Sequence, residues 1–223
     1  MVIGILSLAT CAFAAKPVIE LEGGPTLRIA CDLNSVAYDW NFADGDHGFV
    51  PYICEDGAVA AWAYGVDSEY GTVWGTGLNG PYQNNSGDAL VSPTFMVDPS
   101  TQFVEVVHFY DIETNFDGCN LEVNGQVVAP LEGYTVEELS TSTSYYAFCV
   151  DLEPGFTGHD PTGFMTTCFD LVDFTGQEVA LEFTFGSDSS VTYPGWYIAR
   201  VMVGANVVGV EEQSMGNVKA LFR

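Results

Sequence analysis

The sequence is poor in positive charge. Of its 223 residues only five are Lys or Arg, against 30 Asp or Glu, and the formal net charge is −25. That balance excludes nucleic acid as a partner, because phosphates must be neutralised by cationic side chains. It also disfavours anionic membrane surfaces. Histidine is scarce: His47, His108 and His159 lie far apart in the chain. No two cysteines form a C-x-x-C pair, so a structural zinc site is not expected. There is no G-x-S-x-G elbow, and Ser187, Ser189 and Ser190 have no assignable His/Asp partners. Thirty carboxylates guarantee accidental pairs, so counting them gives no evidence for glycoside hydrolysis. The chain has no internal repeat and no amphipathic helix of useful length; Val136 to Leu139 is long enough for one turn at most. His108, between Val107 and Phe109, reads as a packed strand histidine rather than a catalytic one.

What is present is apolar and aromatic. Hydrophobic residues make up 48% and aromatics 13%, enough for a substantial core. They fall in short runs between Gly, Asn, Asp and Pro clusters: residues 103–110, 119–129, 145–151 and 178–185. Asn124-Gly125, between LEV and QVV, is a two-residue hairpin signal. In 181–203, Leu181, Phe183 and Phe185 alternate with Glu182 and Thr184, the period of a strand with one buried face. Gly186–Ser190 is turn chemistry. Trp196, Ile198, Val201 and Val203 then resume an apolar strand pattern, so the stretch reads as a hairpin that needs a facing sheet. Many short strands with regular turns predict an antiparallel sandwich or barrel.

The first residues resemble a secretory signal peptide. Residues 2–13 are an apolar run too short to span a bilayer, with no Lys or Arg before it, and Ala12-Phe13-Ala14 is an A-x-A site. Cleavage is expected after Ala14, giving an exported, secreted or cell-surface protein with no transmembrane segment in its mature form. Residues 15–26 read as a leader, 27–205 as one sandwich domain and 206–223 as a linker. Export places the remaining cysteines in an oxidising compartment. The local pairing is Cys31–Cys54 and Cys149–Cys168, which leaves Cys119 over.

Four collinear stretches carry a family resemblance: Phe42–Pro51 (FADGDHGFVP) with Trp62-Ala63-Tyr64-Gly65; Val73–Pro93 (VWGTGLNGPYQNNSGDALVSP); His108–Val123 (HFYDIETNFDGCNLEV); and Phe156–Gly176 with Gly186–Val203. Together they resemble the MAM-like jelly-roll domain that follows the catalytic part of immune inhibitor A-type (M6) metallopeptidases and recurs in other secreted bacterial proteins. The resemblance implies an all-β, antiparallel two-sheet jelly-roll sandwich. Ala199 and Arg200 stand where the family usually has paired acidic residues, one of which often helps hold a structural calcium. The H-E-x-x-H helix of the peptidases is missing, so a non-enzymatic role is expected. Residues 209–222 resemble the lead-in to a C-terminal sorting domain.

Two acidic loops are candidate calcium sites, since a tight loop converges carboxylates on one point. One holds Asp111, Glu113 and Asp117; the other holds Asp44 and Asp46. Solvated turn chemistry is the simpler account of either loop. Trp74 and Tyr82, with Trp62 and Trp196, suit either a sugar-stacking platform or a sandwich core. Asn79 and Asn84 lie in a long Gly/Asn loop of the kind that carries binding function. The expected function is a secreted binding or adhesion module for an extracellular glycan, a protein or a second copy of itself, with calcium as its one plausible cofactor. The alternatives are an accessory domain of an M6-type peptidase and a structural subunit of an extracellular assembly.

Overall fold

The computed structural model describes residues 31–140, 146–160 and 163–205. The expected signal peptide (1–14), leader (15–26) and linker (206–223) lie outside the described residues. The elements in order are β1 (Ser35–Asn41), β2 (Val50–Ile53), β3 (Ala63–Asp67), β4 (Gly71–Gly75), β5 (Gly87–Val91), β6 (Phe95–Met96) and β7 (Phe103–Asp111). They continue with β8 (Gly118–Val123), β9 (Gln126–Val127), β10 (Met165–Asp170), β11 (Glu178–Val179), β12 (Leu181–Gly186) and β13 (Gly195–Ala205). Among the described residues the helical content is one 3₁₀ turn, Val172–Phe174. The chain is an all-β sandwich in which every strand pair is antiparallel.

One sheet runs β10-β7-β13-β4-β3, with β1 also on β13; the other runs β2-β5-β12-β8-β9. The short β6–β11 ladder extends the β5–β12 pair, joined by Ser92, whose Oγ accepts the Leu181 N–H at 2.9 Å. The alternation read in β12 has its physical cause here. Leu181, Phe183 and Phe185 are fully buried between the layers, and Glu182 faces out. In β13 the inward residues change parity, from Trp196 and Ile198 to Val201 and Val203. A strand can keep both pairs inside only by inserting one residue, and its ladder with β7 shifts register between Ile198 and Arg200. The Phe42 N–H bonds the carbonyl of Ala199, the residue skipped there.

The interior is aromatic. Trp62 packs on Trp196 with ring centroids 5.3 Å apart, and its indole N–H donates to the Phe183 carbonyl at 3.0 Å. His108, 1% exposed, is held between two partners: Nδ1 accepts from the Trp196 indole N–H at 2.9 Å and Nε2 meets Thr167 Oγ1 at 2.7 Å. An indole only donates, so the imidazole is neutral with its proton on Nε2. Burial pushes its pKa down to about 3.

Three expectations are corrected. β12 and β13 are not a hairpin. They lie in different sheets, and the turn between them crosses from one layer to the other. Residues 146–151 form turns rather than a strand, with Cys149 at φ 68°. That segment lies across the ends of β5 and β12, where Gly87 and Gly186 leave no room for a Cβ beside Phe148. Val136 makes a bridge to Gly155 instead of a helical turn.

The disulfides use the four expected cysteines in a different pairing, Cys31–Cys168 and Cys54–Cys149, leaving Cys119 buried and free. Sequence-local pairing fails because the sheet order is not local. Cys168 sits on β10 beside β7, and Cys31 reaches the same place, its Sγ 3.5 Å from the Val104 carbonyl of β7. The pairs span 137 and 95 residues.

Candidate functional site

Where the chain crosses between layers, three loops meet: the one before β5, the one joining β7 to β8, and the one joining β12 to β13. Within the β7–β8 loop the backbone curls, with the N–H groups of Phe116 and Asp117 both directed to the Glu113 carbonyl and Asn115 at φ 67°. Ile112 is buried and its N–H bonds the Gly158 carbonyl, which fixes the loop's base. The curl turns Asp117 inward, where it is fully buried.

Tyr82 ties the loops together. Its hydroxyl donates to Asp117 Oδ2 at 2.6 Å and accepts the Glu113 N–H at 3.1 Å. From the β12–β13 loop the Asp188 N–H donates to Asp117 Oδ1 at 2.7 Å, while the Asp188 carbonyl accepts the Asn85 N–H at 2.6 Å. Asp188 is 1% exposed; its Oδ1 accepts the Ser190 N–H.

These connections bring together carboxylates of Glu113, Asp117 and Asp188, one oxygen from each lying within 4.8 Å of the others. Among the described residues this is the one set of three potential metal-ligating side chains so placed. Two of its oxygens, Glu113 Oε2 and Asp188 Oδ2, are buried without a hydrogen-bond partner. Buried polar atoms are normally paired, and an unpaired carboxylate oxygen is costly. Burial pushes the Asp117 carboxyl up to about 7; the donors from Tyr82 and Asp188 pull the other way, and the neighbouring carboxylates add to the rise. Glu113 is raised as well, by burial and by the charge of Asp188.

Among the described residues no Lys or Arg offsets this charge. Among the described residues Arg200 is the one Lys or Arg, and it forks onto Asp39 at 2.7 and 2.6 Å. Four of the 30 acidic residues (Glu20, Glu22, Glu211 and Glu212) lie outside the described residues, leaving 26 within them. Such a cluster is neutralised either by protons or by a hard cation that takes oxygen ligands.

The expected site residues divide. Glu113 and Asp117 belong to the cluster. Asp111 does not: it ends β7 and pairs with His159 at 3.5 Å. Asp188, the third member, lies in the stretch whose sequence shows only turn chemistry. The signal available for it was its place beside Gly186 and Ser187, a polar break between two aromatic strands. Asp44 and Asp46 are exposed, and Asp46 Oδ1 accepts the Gly48 N–H at 3.1 Å, a local turn. Trp74, Tyr82, Trp62 and Trp196 are all buried and form core rather than an exposed platform. Tyr82 meets the candidate site through its hydroxyl instead of its ring face. Asn79 is exposed with φ 59°; its Oδ1 accepts the Ser68 N–H and its Nδ2 donates to the Val66 carbonyl, closing the β3–β4 turn. Asn84 is exposed in the loop that leads to Asn85.

Glu113 and Asp188 line a hollow of about 200 Å³, shared with Phe116, Ser190 and Val191. Val191 is half exposed at φ 53°, a left-handed conformation unusual for a β-branched residue. A second hollow of about 260 Å³ lies by Asp67 and Tyr70. There Asp67 is already occupied, accepting the N–H groups of Glu69, Tyr70 and Asn79. No family model matches this chain, and no curated protein matches it.

Proposed function

We propose that this chain is an exported, non-catalytic binding module of the MAM-like jelly-roll kind, stabilised by calcium held between Glu113, Asp117 and Asp188. The observation that carries the reading is that one carboxylate oxygen from each of Glu113, Asp117 and Asp188 lies within 4.8 Å of the others, while Glu113 Oε2 and Asp188 Oδ2 are buried without a hydrogen-bond partner. Hard oxygen ligands from flexible loops suit Ca²⁺ better than Mg²⁺, which demands near-ideal octahedral geometry. The two long-range disulfides are compatible with an oxidising, extracellular setting. So is the finding that no helix among the described residues is long and apolar enough to cross a membrane. A rigid sandwich that presents loops at one end is a platform for binding a glycan or a protein.

The test is a thermal melt of the purified chain in excess chelator, in calcium chloride and in magnesium chloride. Ligand at about 100 times its Kd contributes about 2.7 kcal/mol. For a chain of this size that raises Tm by about 5–10 °C. An unchanged melt on calcium addition refutes the reading.

A further inference from the structure

The cluster is not closed on all sides. Asp117 is fully enclosed and Asp188 nearly so, yet Glu113 and Asp188 also form part of the wall of the hollow that holds Phe116, Ser190 and Val191. Calcium takes six to eight oxygens. Both Asp117 oxygens already accept hydrogen bonds, and Asp188 Oδ1 accepts another. Three carboxylates offer at most six oxygens, and three of those already accept hydrogen bonds, so coordination positions are left unfilled, and the hollow is where the cluster meets the surface.

We infer that calcium held by Glu113, Asp117 and Asp188 completes its shell with two adjacent hydroxyls of a neutral sugar seated in this hollow. The inference rests on the calcium reading above.

Charge selects the neutral ligand. Three carboxylates (−3) and one Ca²⁺ (+2) sum to −1, and the one Arg among the described residues is engaged by Asp39. An acidic sugar or a carboxylate side chain would meet a negative site on a strongly negative domain, whereas a diol brings oxygen ligands without charge. The walls suit a sugar ring, with Phe116 and Val191 offering apolar contact and Ser190 a hydroxyl oxygen that can still accept while its proton points to Asp188 Oδ1 at 3.4 Å. The volume, about 200 Å³, is below the roughly 300–1,000 Å³ typical of drug-sized pockets, which fits a single ring. Val191, held at φ 53° with half its surface in solvent, is a strained residue at the rim, and strain of this kind gathers at ligand sites.

The experiment is ligand-observed NMR on the purified chain with the methyl glycosides of mannose, galactose, glucose and fucose, and with sialic acid as the acidic arm. Each is measured in calcium and in excess chelator, with a melt of the same samples. Expected is binding of at least one neutral glycoside in calcium, lost on chelation. Val191→Gly should keep the calcium-induced rise in Tm and weaken that glycoside about three- to tenfold, the loss of one partly buried Val contact. A calcium-dependent melt with no neutral glycoside bound overturns this inference and leaves the calcium reading standing. Binding of sialic acid alone, binding that survives chelation, or an unaltered affinity in Val191→Gly also overturns it. A melt indifferent to calcium overturns both.

Discussion

Asp117→Asn should be more stable than the wild type in chelator and less stable in calcium. In chelator the buried Asp117 carboxylate has two hydrogen-bond donors and the carboxylates of Glu113 and Asp188 beside it, and burial, with those charges adding to it, lifts its pKa to about 7 from an ordinary 3.8. The folded state therefore binds this proton more tightly than the unfolded state. Below the ordinary value both states are protonated and the group contributes nothing. As pH rises from about 4 to about 7 the unfolded chain releases the proton and the folded chain retains it, so stability falls. The difference of about three pH units, at about 1.4 kcal/mol each, sets an upper bound near 4 kcal/mol of destabilisation above pH 7. Asn is neutral at every pH, keeps an acceptor for the Asp188 N–H, replaces the oxygen that accepts from the Tyr82 hydroxyl with an NH2 donor, and removes that slope. Urea unfolding between about pH 4 and pH 8 measures it, with midpoints compared at constant m. In chelator at the upper end Asp117→Asn should be the more stable protein by up to about 4 kcal/mol. In calcium the order should reverse, because only the wild type gains a charged ligand for the ion. Parallel pH profiles for the two proteins in chelator would show that the carboxylate carries no burial cost, and the reasoning would fail.

His108 works in the opposite pH direction. Its folded pKa is lowered from 6.5 to about 3, so the stability present above the ordinary value is lost as pH falls through that window. His108→Leu should flatten this acid limb and, by leaving the Trp196 indole N–H and Thr167 hydroxyl without their partner, cost about 1–3 kcal/mol at neutral pH in urea unfolding. The double substitution Cys54→Ser with Cys149→Ser should lower stability by about 2–5 kcal/mol in the same assay, since it reopens a 95-residue loop in the unfolded chain. A loss below about 0.5 kcal/mol would mean that the unfolded ensemble already holds those segments together.

Local periodicity was enough to place β7, β8, β12 and β13. In each, side chains alternate or run apolar within a few residues, and the buried face needs no distant information. The Asn124-Gly125 turn is legible for the same reason: both residues take positive φ, which those two types tolerate best. What the sequence hides is which surfaces meet. β12 and β13 look like hairpin partners because they are neighbours in the chain, yet each pairs with strands far away. The disulfide pairing fails on the same ground. So does the acidic cluster: Glu113 and Asp117 are close in sequence, whereas Asp188 is 71 residues from the carboxylate that accepts its N–H. Adjacency groups Asp111 with them, but it is the last residue of β7 and pairs with His159 instead. Residues 145–151 have strand composition, but the tie from Cys149 to Cys54 and the positive φ at Cys149 favour a turn.

The hydroxyl of Tyr82 has a mechanical consequence. One phenolic oxygen is the shared pivot for the β7–β8 loop at both Glu113 and Asp117, and Asp117 in turn anchors the β12–β13 loop through Asp188. None of these segments can swing outward without dragging or uncoupling the others. Whatever docks at this end of the sandwich thus meets a single unit that yields as a whole, and tension applied to any one loop is shared by all three.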